Sequence, residues 1–277
     1  MPTCWSRRGT RKNRRSGVLV LAAALLMTGM AMAQIYLPPA PPPPALYGRV
    51  VLDSHAVRSP GAVVFDHWLH RSKFTCRLCH VDIGFAMTAN GTGITQESIR
   101  KGYHCGACHD GKRVVEGNVV FAACVSDQYV PACDRCHAAV KRGVRKYDYQ
   151  SYTARYPKTN FGVDWMTAEE HGLIRPEDQL AGFVSERPRM PVRNDFNITA
   201  GENWVRPVQF SHHKHAVWNG CELCHPEIFP TAKKSEVQYT MYSNIEGRHC
   251  GACHLKVAFP LNNCAMCHPR APMWAQQ

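Results

Sequence analysis

Six copies of one five-residue pattern constrain this chain more than anything else in it. They are Cys76-Arg-Leu-Cys79-His80, Cys105-Gly-Ala-Cys108-His109, Cys133-Asp-Arg-Cys136-His137, Cys221-Glu-Leu-Cys224-His225, Cys250-Gly-Ala-Cys253-His254 and Cys264-Ala-Met-Cys267-His268. Two thiols three positions apart reach the two vinyl groups on one edge of a porphyrin. The imidazole that follows then falls under the iron, so C-x-x-C-H reads as covalent haem attachment. Chance alone would place roughly 0.04 such patterns in a chain of this composition. Structural zinc also uses Cys-x-x-Cys pairs, but it has no need of a histidine after the second cysteine, and all six copies have one. A disulfide framework fails on the same ground.

The remaining histidines follow a repeat. The chain has 15 histidines, and six of them sit in the motifs. Phe65-Asp-His67-Trp-Leu-His70 and Phe210-Ser-His212-His-Lys-His215 both read F-x-H-x-x-H, each six positions ahead of a motif cysteine. A shift of 145 residues also superposes Cys76 on Cys221, His104 on His249 and Cys105 on Cys250. The third motif is offset by 131, because fourteen extra residues separate Cys108 from Cys133 in the first half. Each half thus holds three motifs and three spare histidines in matched places, the arithmetic of bis-histidine ligation. The expected second ligands are His67, His70, His104, His212, His215 and His249, beside the motif ligands His80, His109, His137, His225, His254 and His268. His55, His171 and His213 have no repeat partner, though His213 adjoins His212 and is its rival. Met87, Met241 and Met266 could supply sulfur, which raises haem potential, but the histidines already suffice. Two imidazoles per iron leave no open position for a substrate.

The N-terminus reads as an export signal. Met1 to Gly17 is basic, Val18 to Met30 is apolar, and Ala31-Met32-Ala33 is a small-x-small cleavage site. The apolar run is shorter than the ~20 residues a spanning helix needs, so cleavage before Gln34 is expected, with no membrane span in the mature chain. Cleavage removes Cys4 and six of the 33 basic residues, leaving 27 against 21 acidic ones, or +6 in place of +12. Six haems would add twelve propionate charges. No basic cluster survives outside the leader, which excludes a nucleic-acid partner.

The residues quoted so far resemble the triheme cytochrome c7 family, a branch of the class III or cytochrome c3-like multihaem cytochromes. The resemblance covers Phe65 to His137 and Phe210 to His268. It implies a fold that is mostly irregular, with short α-helices and a short β-strand per unit, and with haems as the core. It also implies a pairing of ligands: His67 with His80, His70 with His109, His104 with His137, His212 with His225, His215 with His254 and His249 with His268. Two features depart from the simplest members. His104 and His249 directly precede a cysteine, and a long segment separates the two halves.

The expected organisation is a signal peptide (1–33), a Pro-rich tether (34–46), triheme unit one (47–145), a connector with a short helix (146–202), triheme unit two (203–272) and a tail (273–277). Strands are predicted at Val63-Val64-Phe65 and Val205 to Phe210, and short helices near Ser98 to Lys101 and Cys105 to His109. In the connector, Thr167-Ala-Glu-Glu170 predicts a capping-box helix start, with Trp165, Ile174 and Phe183 packing on a haem unit. Cys124, in the insertion of unit one, is the odd cysteine.

The function expected is electron transfer in the periplasm, or at the cell surface, through six covalently attached haem c groups. Partners would be other redox proteins: cytochromes, or quinone-linked and outer-membrane electron-transfer complexes. A terminal reductase of metal ions or small oxyanions is the rival, and a subunit of a haem filament or conduit is a third reading. Regular motifs and a full set of spare histidines favour the carrier.

Overall fold

The computed structural model describes residues 37–53, 61–125, 131–137, 148–182, 194–199, 206–230 and 239–269. The signal segment, His55, Phe183 and the tail lie outside them. Residues Ala40–Gln277 form one compact unit, and Met1–Pro39 another. Among the described residues no helix is long and apolar enough to cross a membrane.

Each half opens on a hairpin rather than on the single strand expected. Arg49–Leu52 pairs antiparallel with Val63–Asp66, and Phe196–Ile198 with Val208–Phe210. The pairing partner lies upstream of the repeat visible in the sequence, which is why pattern reading missed it. Directly after each hairpin, F-x-H-x-x-H runs into a short helix, His67–Arg71 or His212–Asn219. Ser211 caps the second of these by accepting from the Lys214 N–H.

A second element is duplicated just ahead of motifs two and five. Helix Gln96–Arg100 is capped by Thr95, whose hydroxyl accepts from the Ser98 N–H at 3.0 Å. Helix Met241–Ile245 is capped by Thr240, which accepts from the Ser243 N–H at 3.1 Å. These pairs obey the 145-residue shift, so the repeat T-x-x-S-x-x-x-G runs back from each Cys-Gly-Ala-Cys-His. Further one-turn helices lie at Leu78–Asp82, His104–Ala107, Pro131–Arg135, Tyr149–Thr153, Gly251–His254 and Cys264–Cys267, with hairpins of two-residue strands at Val114–Val115 with Asn118–Val119 and Lys158–Thr159 with Gly162–Val163.

The connector is structural. Its helix Trp165–Glu170 starts two residues before Thr167. Asp164 is the cap, its carboxylate accepting from the Thr167 N–H and hydroxyl at 3.1 and 3.0 Å. An acidic cap three residues earlier outcompetes the threonine, which serves as the capped position. Ile174 and Ala168 are buried with Tyr156 and with Trp218 of the second half, and Trp165 and Cys76 pack on that cluster. Leu180 reaches a second cluster with Phe74, Leu78, Ala107 and Val115. Met87, Met241 and Met266 are all exposed.

Equivalent residues of the two halves meet at the seam. Arg77 and Glu222, the first variable positions of motifs one and four, are 145 residues apart and 3.4 Å from each other. The Tyr47 hydroxyl donates to the His254 carbonyl at 3.2 Å.

Candidate haem-binding site

Five of the six motifs fold as single tight turns, and the first runs into the π-helical turn Leu78–Asp82. The N–H of His109, His137, His225, His254 and His268 each donates to the carbonyl of the first cysteine of its motif, at 2.8–3.0 Å. Positions i, i+3 and i+4 of such a turn share a face, which sets both sulfurs and the imidazole toward one side. None of the thirteen cysteines among the described residues is in a disulfide. Burial pushes Cys79, Cys253 and Cys267 up to about 12. These are not the low-pKa thiolates that thiol–disulfide chemistry uses.

The imidazoles are held by one recurring device. A metal-ligating histidine donates its other ring N–H to a carbonyl, which fixes the tautomer and frees Nε2 for the metal. In motifs one and four, His80 and His225 bond through Nδ1 to the carbonyls of Phe85 and Phe229, at 2.9 and 2.7 Å. In motifs two and five, His109 and His254 bond to Phe121 and Phe259, at 3.2 and 2.8 Å. In motifs three and six, His137 and His268 bond to Gly61 and Arg206, at 2.7 and 2.6 Å. Gly61 and Arg206 are themselves 145 residues apart.

The spare histidines behave alike. His67 and His212 reach the carbonyls of Gly48 and Asn194 at 2.5 and 3.0 Å. His70 and His215 reach Asp66 and Ser211 at 3.4 and 2.8 Å. His249 reaches Ile228 at 3.2 Å. The buried His104 Nδ1 is the exception, without a partner. Eleven of the twelve expected ligands thus carry the same support.

Three of the expected pairs are brought together. The ring centroids of His67 and His80 are 6.3 Å apart with planes 9° from parallel. Those of His70 and His109 are 6.4 Å apart, and of His215 and His254 6.3 Å. Two coordinate bonds of about 2 Å each, plus the depth of two imidazole rings, account for such a spacing. The residues therefore fit an iron held axially. Burial drives His67, His70 and His254 down to about 4, keeping them in the neutral form a metal takes. No ring contact joins His104 to His137, His212 to His225 or His249 to His268 among the described residues.

The phenylalanine of F-x-H-x-x-H wedges between its two histidines. Phe65 lies 4.9 Å from His67 and 4.4 Å from His70; Phe210 lies 4.9 Å from His212 and 4.4 Å from His215. His104 and His249 share another trait, a left-handed backbone with φ of 52° and 46°. A non-glycine residue pays for that conformation, and such strain gathers at functional sites.

The sequence pattern of the family described as "Cytochrome c7 and related cytochrome c" matches residues 63–150 and 208–269, more than half of the chain. The chain belongs to this family. As a cytochrome c7 relative it binds haem c covalently, and electron transfer is its work. Among solved structures, the C-terminal hexaheme fragment of GSU1996 is 22% identical, covering 83% of this chain and 99% of its own, with a TM-score of 0.26. The N-terminal hexaheme fragment of GSU1996 is 21% identical, covering 80% and 99%, with a TM-score of 0.25. The dodecaheme cytochrome c GSU1996 is 18% identical, covering 79% and 73%, with a TM-score of 0.24. No curated protein matches. The family assignment rests on the sequence pattern and not on these superpositions.

His212 and His213 now separate. The His212 ring is anchored, whereas His213 is exposed and engages Asp195 through its backbone N–H. His212→Ala should add a high-spin ferric signal and carbon monoxide binding after reduction. His213→Ala should leave both spectra as in the wild type, and the reverse result would hand the role to His213. His171 is exposed at the end of helix Trp165–Glu170. Cys124 is half-buried with φ of 55°.

Proposed function

We propose that this cytochrome carries six haems, each axially bound by two histidines, and that it passes electrons between redox proteins after export to the periplasm. The observation that carries the reading is the shared carbonyl support of eleven histidines, matched between the halves at five of the six paired positions, with His104 alone lacking it. An unselected set of surface histidines has no reason to point Nδ1 at a carbonyl.

Bound haem supplies the one-electron redox chemistry. The chain's residues do the rest. Cys76, Cys79, Cys105, Cys108, Cys133, Cys136, Cys221, Cys224, Cys250, Cys253, Cys264 and Cys267 tether the cofactors. The six motif histidines and the six spare ones would hold the irons, and the carbonyls orient eleven of the twelve rings for it. Two filled positions favour a carrier over a reductase. Electrons would be exchanged with cytochromes or quinone-linked and outer-membrane complexes through weak contacts. The triheme units at 47–145 and 203–272, with the connector at 146–202 between them, form the proposed organisation.

Intact mass and haem staining of the mature protein should report six haems and an N-terminus at Gln34. The native protein should be wholly low-spin and should bind no carbon monoxide when reduced. A mass equal to that of the polypeptide alone would overturn the proposal. Carbon monoxide binding by the untreated protein would move it toward the reductase.

A further inference from the structure

Arg71 ends the helix that carries His67 and His70, and its side chain crosses to the other half of the molecule. Nη1 donates to the Val257 carbonyl at 2.6 Å. The guanidinium carbon lies 5.1 Å from the Trp165 ring centroid and 5.4 Å from that of Trp218. Its Nε is shielded from solvent and has no hydrogen-bond partner.

Three groups that could become anions face this cation: the thiols of Cys76 and Cys253 and the phenol of Tyr47. None can act as its counter-ion. The Tyr47 hydroxyl keeps its proton in a hydrogen bond to the His254 carbonyl, so it is a neutral phenol. Cys76 and Cys253 are attachment cysteines of motifs one and five, and a thiol converted to a thioether carries no charge. A guanidinium enclosed by two tryptophans without an anion is unfavourable, and packed porphyrins would strip away the water that still reaches it. Haem brings two carboxylates per ring, and the planar guanidinium fork matches a carboxylate.

Building on the six-haem reading, we propose that Arg71 binds a haem propionate at the seam between the two halves, locking the cofactor of one half to the Val257 loop of the other. A fixed cation at a porphyrin edge favours the reduced iron, which carries one positive charge less. The haem so held has a higher potential than it would have without Arg71, and it marks the junction for electron passage between the halves.

The test is a redox titration of the whole holoprotein with Arg71→Met and Arg71→Lys. Arg71→Met should shift one of six one-electron steps to lower potential, by about tenfold in equilibrium constant or 59 mV. It should also lower thermal stability, because a propionate is left enclosed and unpaired. Arg71→Lys should restore most of the potential. With no anion at the site, removing an uncompensated cation would instead raise stability and move no step, which overturns the proposal. If Arg71→Met fails to assemble, assembly of Arg71→Lys with six haems supports it, and failure of both counts against it. Fewer than six haems in the wild type would defeat the underlying reading instead.

Discussion

Cys221→Ala combined with Cys224→Ala should cost the protein one haem and, with it, the fold of its C-terminal half. The reason lies in where the buried apolar side chains are. Of the buried hydrophobic residues described, only Trp218 and Leu261 belong to the second half, and Trp218 packs on the connector cluster. Burying such a side chain contributes about 1.5–3 kcal/mol. Ordering each backbone residue costs about 1–2 kcal/mol, and the half contains several tens of residues. Two side chains cannot offset that, so porphyrin surface must. The first half has its own cluster at Phe74, Leu78, Ala107 and Val115, closed by Leu180 of the connector, so it should survive in part. Limited proteolysis of the variant should cut throughout 206–269 and spare 61–125. Native helix content with wild-type protease resistance would show that the second half folds without its first haem.

Much of this protein was legible in its sequence, because covalent cofactor attachment writes itself into residue spacing. The six motifs and the F-x-H-x-x-H repeat point to the family, and the family pattern bears that out over both halves. Mostly irregular structure with short helices also followed, since porphyrins replace a side-chain core. What escaped has a common cause: it depends on backbone groups or on packing between distant segments. The carbonyls of Phe85, Gly61 and Arg206 carry no residue signature, because every residue has a carbonyl. Arg71 resembled any charge ending a helix until the fold set it between Trp165 and Trp218. The T-x-x-S-x-x-x-G extension was present at the 145-residue shift and could have been found by carrying the alignment upstream of His104 and His249. The Asp164 cap was also readable, had acidic caps been weighed against threonine.

The second large effect should come from a single methyl group. Gly106 and Gly251 occupy the first variable position of their Cys-Gly-Ala-Cys-His motifs, and each lies directly beneath the preceding helix. A Cβ at Gly251 would fall 1.8 Å from the Asn244 carbonyl oxygen, and one at Gly106 would fall 1.9 Å from that of Ile99. Neither distance allows a non-bonded contact, and the obstacle is backbone, which no rotamer change can move. The helix end would therefore have to lift away from the motif, carrying His249 or His104 with it. Over-packing of this kind costs about 1–3 kcal/mol where side chains can adjust, so Gly251→Ala should sit at or above the upper end. The same displacement should disturb the ligand role proposed for His249, so a high-spin ferric fraction should accompany the loss in thermal stability. Ala252→Gly, one residue later in helix Gly251–His254, removes a methyl instead and should cost only about 1 kcal/mol of helix propensity, with the spectrum intact. The contrast isolates steric approach from any general sensitivity of the motif. A Gly251→Ala protein with wild-type melting and a fully low-spin spectrum would mean that helix Met241–Ile245 does not rest on the attachment turn, and the positioning assigned to His249 would fall with it.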